Sequence, residues 1–174
     1  IQAVVEDRGI ETLDDLADIP PTVRVAGLTK DYRIRQGGFR SEAFRAVDDV
    51  SFAIPRGKTL ALVGESGSGK STVAKMVLKL EEPTSGTIEI DGKDVSKLSN
   101  AQAFGLRRRV QPVFQDPYGS LDPLRNIGNT IAEPLQVHNV GDRTARRDRV
   151  LELLDQVSLP QSLITRYPNE LSGG

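Results

Sequence analysis

One eight-residue run constrains this chain more than any other feature: Gly64-Glu65-Ser66-Gly67-Ser68-Gly69-Lys70-Ser71. It stands between a compact apolar run, Thr59-Leu60-Ala61-Leu62-Val63, and a segment from Lys70 to Leu80 where Val73, Met76, Val77 and Leu80 recur at helical spacing. Strand, glycine loop, helix is the order of a βα unit and predicts an α/β fold. Glycines at 64, 67 and 69 let the backbone curl until successive N–H groups face inward, a concave nest for phosphate oxygens. The helix opening near Lys70 adds its positive end to the same spot. Lys70 then brings an ammonium to the β- and γ-phosphates, and Thr72 can donate to the α-phosphate. The Ser71 hydroxyl serves a Mg²⁺ that otherwise keeps waters and phosphate oxygens. The plain alternative is a chance glycine-rich turn, which the full pattern in this context argues against. Glu65, Ser66 and Ser68 complete the loop, Glu65 reading equally well as an ordinary loop residue.

The rest of the chain reads as follows. Residues 1 to 22 carry Glu6, Asp7, Glu11, Asp14, Asp15 and Asp18 against Arg8 alone and close on Pro20-Pro21. Such a stretch predicts a linker or the tail of a preceding domain, with a short helix over about residues 10 to 18. Strands are expected at Val23 to Val25 and Val47 to Ile54, separated by the Gly37-Gly38 loop, and at Thr87 to Ile90 before an Asp91-Gly92 turn. Ser99 with Gln102 reads as a capping box opening a helix toward Arg107, after which Val110 to Phe114 reads as a strand. Ile127 to Val137 and Thr144 to Val157 read as helices, the second with Val150, Leu153, Leu154 and Val157 in one stripe. A mixed first part followed by a helical one implies two lobes.

Composition narrows the chemistry. The 174 residues contain no Cys, which removes disulfides, thiolate catalysis and Cys-ligated metals. A net charge of -1 gives no global reason to expect nucleic acid as a partner. No window approaches the length needed to cross a bilayer. The single His138 reads as a surface residue at a helix end, and Arg143, Arg146, Arg147 and Arg149 as a solvated or partner-facing helix face. Arg107 to Arg109 read as support for the loop ahead of Gln115.

Two further segments qualify the phosphate loop. Val113-Phe114-Gln115-Asp116-Pro117 puts a neutral amide at a predicted strand end, able to reach a metal ion or its water without changing the charge of the site. Leu171-Ser172-Gly173-Gly174 sets a hydroxyl beside two glycines, a second group of phosphate donors. Alone, each would be an ordinary loop or turn. In this order they resemble the ATP-binding subunit of an ABC transporter, from about Val23 to the last residue. More narrowly, Gln115-Asp116-Pro117-Tyr118-Gly119-Ser120-Leu121-Asp122-Pro123, Ile131-Ala132-Glu133-Pro134-Leu135 and Arg166 to Gly174 resemble the oligopeptide and dipeptide importer ATPases, a group that also holds nickel and glutathione importers.

The resemblance implies a P-loop NTPase fold with an antiparallel β-subdomain, a RecA-like core and a helical subdomain, the last from about residue 115 to 174. It implies that Gly64 to Gly69, Lys70, Ser71 and Thr72 hold ATP and Mg²⁺. Gln115 then senses Mg²⁺ and the γ-phosphate, and Tyr32 stacks on adenine, with Phe39 and Phe44 competing for that role. Ser172, Gly173 and Gly174 would close over ATP held by a second nucleotide-binding domain, in the same chain or another subunit. The implied partners are two transmembrane permease subunits, an extracytoplasmic substrate-binding protein reached indirectly and no nucleic acid. The implied location is the cytoplasmic face of the membrane.

A non-transport ABC ATPase of DNA repair, chromosome organisation or translation, or a nucleotide-binding module without hydrolysis, shares these motifs. The absence of heptads and Cys between Lys70 and Ser172 favours transport. The family's Asp for Mg²⁺, water-activating Glu and switch His normally follow the signature, and none is present up to Gly174. The core is therefore expected to be incomplete, with the edge of the phosphate-loop strand open. The expectation is a parent protein that hydrolyses ATP and a 174-residue piece that binds it weakly and turns over negligibly.

Overall fold

The computed structural model describes residues 2–5, 20–36, 40–116 and 119–171. The chain divides into two compact units, Ile1–Pro112 and Val113–Gly174. In the first, β2 (Pro21–Gln36) and β3 (Arg40–Pro55) form a long antiparallel hairpin. Both strands run further than the apolar segments predict, because the alternation of Tyr32 and Ile34 with charged residues continues the period-2 pattern into an exposed ribbon. β5 (Ser85–Ile90) pairs with β2 and the short β6 (Lys93–Asp94) pairs with β5, giving the order β3-β2-β5-β6. Asp91 and Gly92 join the last two with φ of 47° and 73°, the two positive values of a type I′ turn.

The phosphate-loop strand, β4 (Leu60–Val63), pairs antiparallel with β1 (Gln2–Val5), Gln2 opposite Val63 and Val5 opposite Leu60. Part of the stretch expected to be a linker is thus a strand on an edge expected to be open. The short helix anticipated over residues 10 to 18 and the Gly37-Gly38 loop lie outside the described residues. Every strand pair among the described residues is antiparallel. Val110 to Phe114 is not a strand: no described strand pairs with it, and Val113 is 99% exposed. An apolar run without a ladder partner has no reason to extend as β-structure.

Helix α1 (Lys70–Val77) lays Val73 and Met76 on the core formed by Val25, Leu28, Val47, Ile88 and Ile90. Fully burying side chains of this kind contributes roughly 1.5–3 kcal/mol each. Val95 and, from α2 (Asn100–Leu106), Leu106 close the same core. Ser99 and Gln102 form the expected capping box at the start of α2.

α1 stops at Val77, short of the predicted Leu80, because Lys79 turns left-handed at φ 54°. The Leu80 N–H reaches the Lys75 carbonyl and the Lys79 N–H the Met76 carbonyl, the pair of bonds that defines a Schellman ending. A glycine would fit that conformation better, so the side chain must justify the lysine. It is buried, and Nζ donates to the Ser96 carbonyl at 2.7 Å and to Glu82 Oε2 at 2.6 Å.

The second unit packs α3 (Ile127–Val137) on α4 (Arg143–Gln156), capped by Asn126 and Asp142. Ala132, Val150 and Leu154 form its core with Ile131 and Ile164. Val157, expected in the stripe, is 65% exposed at the helix cap. His138 caps the end of α3. No helix among the described residues is long and apolar enough to cross a membrane.

Replacing Lys79 with Met leaves the Ser96 carbonyl without its charged donor inside the protein. The expected loss is about 1–3 kcal/mol of stability, read as a lower urea midpoint with the slope unchanged.

Candidate functional site

The loop from Gly64 to Gly69 closes on itself. The Ser68 N–H donates to the Glu65 carbonyl at 3.2 Å, and Gly67 and Gly69 take φ of 81° and 92°. Glycine is required at 69 for a second reason, since a Cβ there would run into the carbonyl oxygen of Ala46 on β3. Ala46 is the extra residue of a bulge: Lys30 pairs with Val47 and Asp31 with Arg45, leaving Ala46 unpaired. The sheet and the loop therefore meet backbone to backbone.

Gly69 is also the N-cap of α1, and no side chain caps that end. α2, α3 and α4 are capped by Ser99, Asn126 and Asp142 respectively. The first turn of α1 holds no acidic residue, so its N–H groups and the positive helix end stay available to an anion. Lys70 Nζ lies inside the curl, donating to the carbonyls of Gly64 at 2.7 Å and Glu65 at 2.6 Å and to Ser68 Oγ at 3.3 Å. Glu65 joins the site through its carbonyl, its own residue being exposed. Ser66 and Ser71 are exposed and Thr72 is half-buried.

Among the described residues no cluster of three or more His, Asp or Glu could hold a metal ion. A Mg²⁺ held by one serine hydroxyl fits only when phosphate oxygens and waters supply its other ligands. The Ser71 hydroxyl is a hard oxygen donor in the first turn of α1 and suits that arrangement.

Tyr32 lies on β2 opposite Phe44 of β3, which is 52% exposed. It is two residues beyond Lys30, whose partner Val47 would lie 3.2 Å from a Cβ on Gly69. Tyr32 thus lies about 7 Å along β2 from Lys30, the residue paired with Val47. Lys30 Nζ sits 5.0 Å from the Tyr32 ring centroid. Sequence reasoning passed over Lys30 and Ala46. Lys30 left a signal, two positions before Tyr32 and hence on the same strand face, whereas nothing marks Ala46 as a bulge.

Gln115 belongs to the second unit and is exposed. Phe39, Ser172, Gly173 and Gly174 lie outside the described residues. Just before the last three, the turn Pro168–Glu170 is held by Glu170, which accepts from the Tyr167 N–H at 2.8 Å and from Arg166 Nη1 at 2.9 Å. The backbone N–H first, and then the guanidinium, lower the Glu170 pKa.

The model of the family described as ABC transporter matches residues 47–174. The chain belongs to the ABC transporter family. It is 47% identical over 148 residues to the di/tripeptide transport ATP-binding protein DppF of Pseudomonas aeruginosa, covering 84% of this chain. It is 47% identical over 162 residues to the oligopeptide transport ATP-binding protein OppD of Mycobacterium bovis, covering 91% of this chain. The chain spans 46% of the length of the Pseudomonas protein and 26% of the mycobacterial one. Among solved structures it resembles the dimeric ATP-binding cassette MJ0796 in a post-hydrolysis state with ADP and Pi. The TM-score is 0.67 at 29% identity, covering 87% of this chain and 63% of that one. The fold is therefore that of an ABC ATPase cassette.

Two outcomes follow from the geometry. Gly69→Ala is expected to lower stability by about 1–3 kcal/mol, from strain at positive φ together with the Ala46 clash, measured by thermal unfolding. For Glu170, the stabilising form is the carboxylate, so its contribution is complete above the ordinary value of 4.5 and is lost as pH falls through the lowered folded value. An NMR titration of Glu170 should give a midpoint below 4.5, and Arg166→Met should raise it.

Proposed function

We propose that the protein is the ATP-binding and ATP-hydrolysing subunit of an ABC importer for oligopeptides or dipeptides. The observation carrying this reading is the uncapped N-terminus of α1 facing a loop that already encloses the Lys70 ammonium. An ammonium has three donors, and here all three are spent on the loop. The longest, to Ser68 Oγ at 3.3 Å, is the one most readily exchanged for a phosphate oxygen. Lys70 would then bind the terminal phosphates without leaving the two carbonyls that fix its position. The N–H groups of the first turn would orient the remaining oxygens, and Ser71 would contribute to a Mg²⁺ that offsets phosphate charge.

Tyr32 is proposed to stack on adenine, a reading supported by its place two residues along β2 from Lys30, whose partner Val47 borders Gly69. Gln115 is proposed to sense the metal and the γ-phosphate. Ser172, Gly173 and Gly174 are proposed to contact ATP held by a second cassette, a reading favoured by the dimeric ADP- and Pi-bound relative. Such contacts exist only in the closed pair, so ATP would favour closure and hydrolysis would release it. Permease subunits in the membrane would receive that motion, and the protein would then work at the cytoplasmic face. The peptide assignment rests on the names of the relatives, di/tripeptide and oligopeptide transport ATP-binding proteins. Those names favour transport over the DNA-repair or translation-associated readings.

Calorimetric titration with Mg²⁺-ATP tests the central step. Lys70→Ala should weaken binding by about ten- to a hundredfold, the loss of charge-assisted bonds to phosphate. An unchanged affinity would remove the assignment of the loop.

A further inference from the structure

We infer that Lys30 is the positioning residue of the Tyr32 ring, fixing the face it offers to adenine and its distance from the phosphate loop; the inference rests on the ATP reading above. The Lys30 side chain is 13% exposed, little for a residue that usually extends into water. Its ammonium is held at three points. It pairs with Glu81 Oε1 at 2.7 Å, donates to the Glu82 carbonyl at 2.7 Å, and lies over the Tyr32 ring at 5.0 Å.

Each contact has a consequence for the ring. Two oxygens localise a side chain that would otherwise sample many rotamers. The localised cation attracts the negative face of the ring and discourages other ring orientations. With the cation on one face, a base would stack on the opposite one. A cation on the covered face also draws π density toward itself, which suits the open face to an electron-rich purine.

The tether also reaches the phosphate loop. Glu81 and Glu82 follow α1, the helix whose first turn receives the phosphates. The same segment is stitched to β2 by the Thr84 N–H on the Thr29 carbonyl at 2.9 Å and by the Asp31 N–H on Thr84 Oγ1 at 2.9 Å. Lys30 thus joins the stacking ring to the segment that follows the phosphate-loop helix, whose first end meets Ala46 through Gly69. The separation of base and phosphates is set from both ends of α1. A lysine serving stability alone would need the Glu81 pair but not the ring.

The test compares the full chain with Lys30→Met, Lys30→Arg, Glu81→Gln and Tyr32→Leu variants, each titrated with ATP and with inorganic tripolyphosphate. Lys30→Met should weaken ATP by about two- to fivefold and leave tripolyphosphate unchanged, and Lys30→Arg should restore ATP. Glu81→Gln, which keeps the lysine and loosens one tether, should show a smaller loss of the same kind and serves if Lys30→Met fails to fold. An equal loss for both ligands, or no loss, overturns the inference. A Tyr32→Leu variant that binds ATP and tripolyphosphate in the wild-type ratio overturns the adenine reading itself. NMR of the ligand-free chain gives an independent reading. The Lys30 ε-methylene protons should be shifted upfield by the ring and return to ordinary values in Tyr32→Leu. Unshifted protons in the wild type would overturn the inference whatever the nucleotide does.

Discussion

The close approach of Gly69 to the Ala46 carbonyl is the contact on which the rest of the first unit depends. A phosphate nest needs its N–H groups held in one arrangement before a ligand arrives, or the ordering cost is subtracted from affinity. Here the loop is not held by its own short hydrogen bonds alone. The bulge on β3 carries a carbonyl into the space where a side chain at position 69 would stand, so sheet and loop constrain one another. Packing of Val73 and Met76 then fixes α1 against the same sheet, and the direction of its N-terminal end follows.

Past the helix, charge replaces close backbone contact. Lys79 and Lys30 arrive from different directions at the adjacent residues Glu81 and Glu82. Lys79 comes from the end of α1 and also reaches the Ser96 carbonyl beyond β6, whereas Lys30 comes from β2. A short acidic pair thereby ties helix, hairpin and strand together. The hairpin turn is held similarly, with the Asp91 carboxylate between Arg56 and Arg109. Each of these pairs sets a covered group against a more exposed partner, Lys79 against Glu82, Lys30 against Glu81 and Asp91 against Arg56 and Arg109. Their effect lies in fixing which segments meet.

Features set by local chemistry were readable without the structure. The loop, the α2 capping box, the Asp91-Gly92 turn and the span Ile127–Val137 all follow from spacing and from residue types that suit one geometry. What escaped reading depends on partners distant in sequence. Val110 to Phe114 has strand-like composition, yet a strand also needs a neighbour to pair with. Gln2–Val5 sits beside an acidic run, and only its pairing with Leu60–Val63 makes it a strand. Lys79 at a left-handed position runs against propensity, and its buried tether explains why it stands there. Around the proposed site, the sequence names Lys70 and Tyr32 as candidates, while the bulge at Ala46 leaves no local pattern to read and the ammonium over the ring only its two-residue spacing from Tyr32.

The missing side-chain cap on α1 has a thermodynamic consequence beyond recognition. A helix that keeps its first N–H groups unpaired forgoes about 1 kcal/mol that an ordinary cap supplies. An anion seated there returns that stabilisation, and it does so only in the folded chain. Folding and occupancy are thereby linked by mass action: a ligand at a hundred times its dissociation constant adds about 2.7 kcal/mol. On the proposed ATP reading, the resistance of this unit to unfolding would be a property of the surrounding solution, set by how much triphosphate it contains.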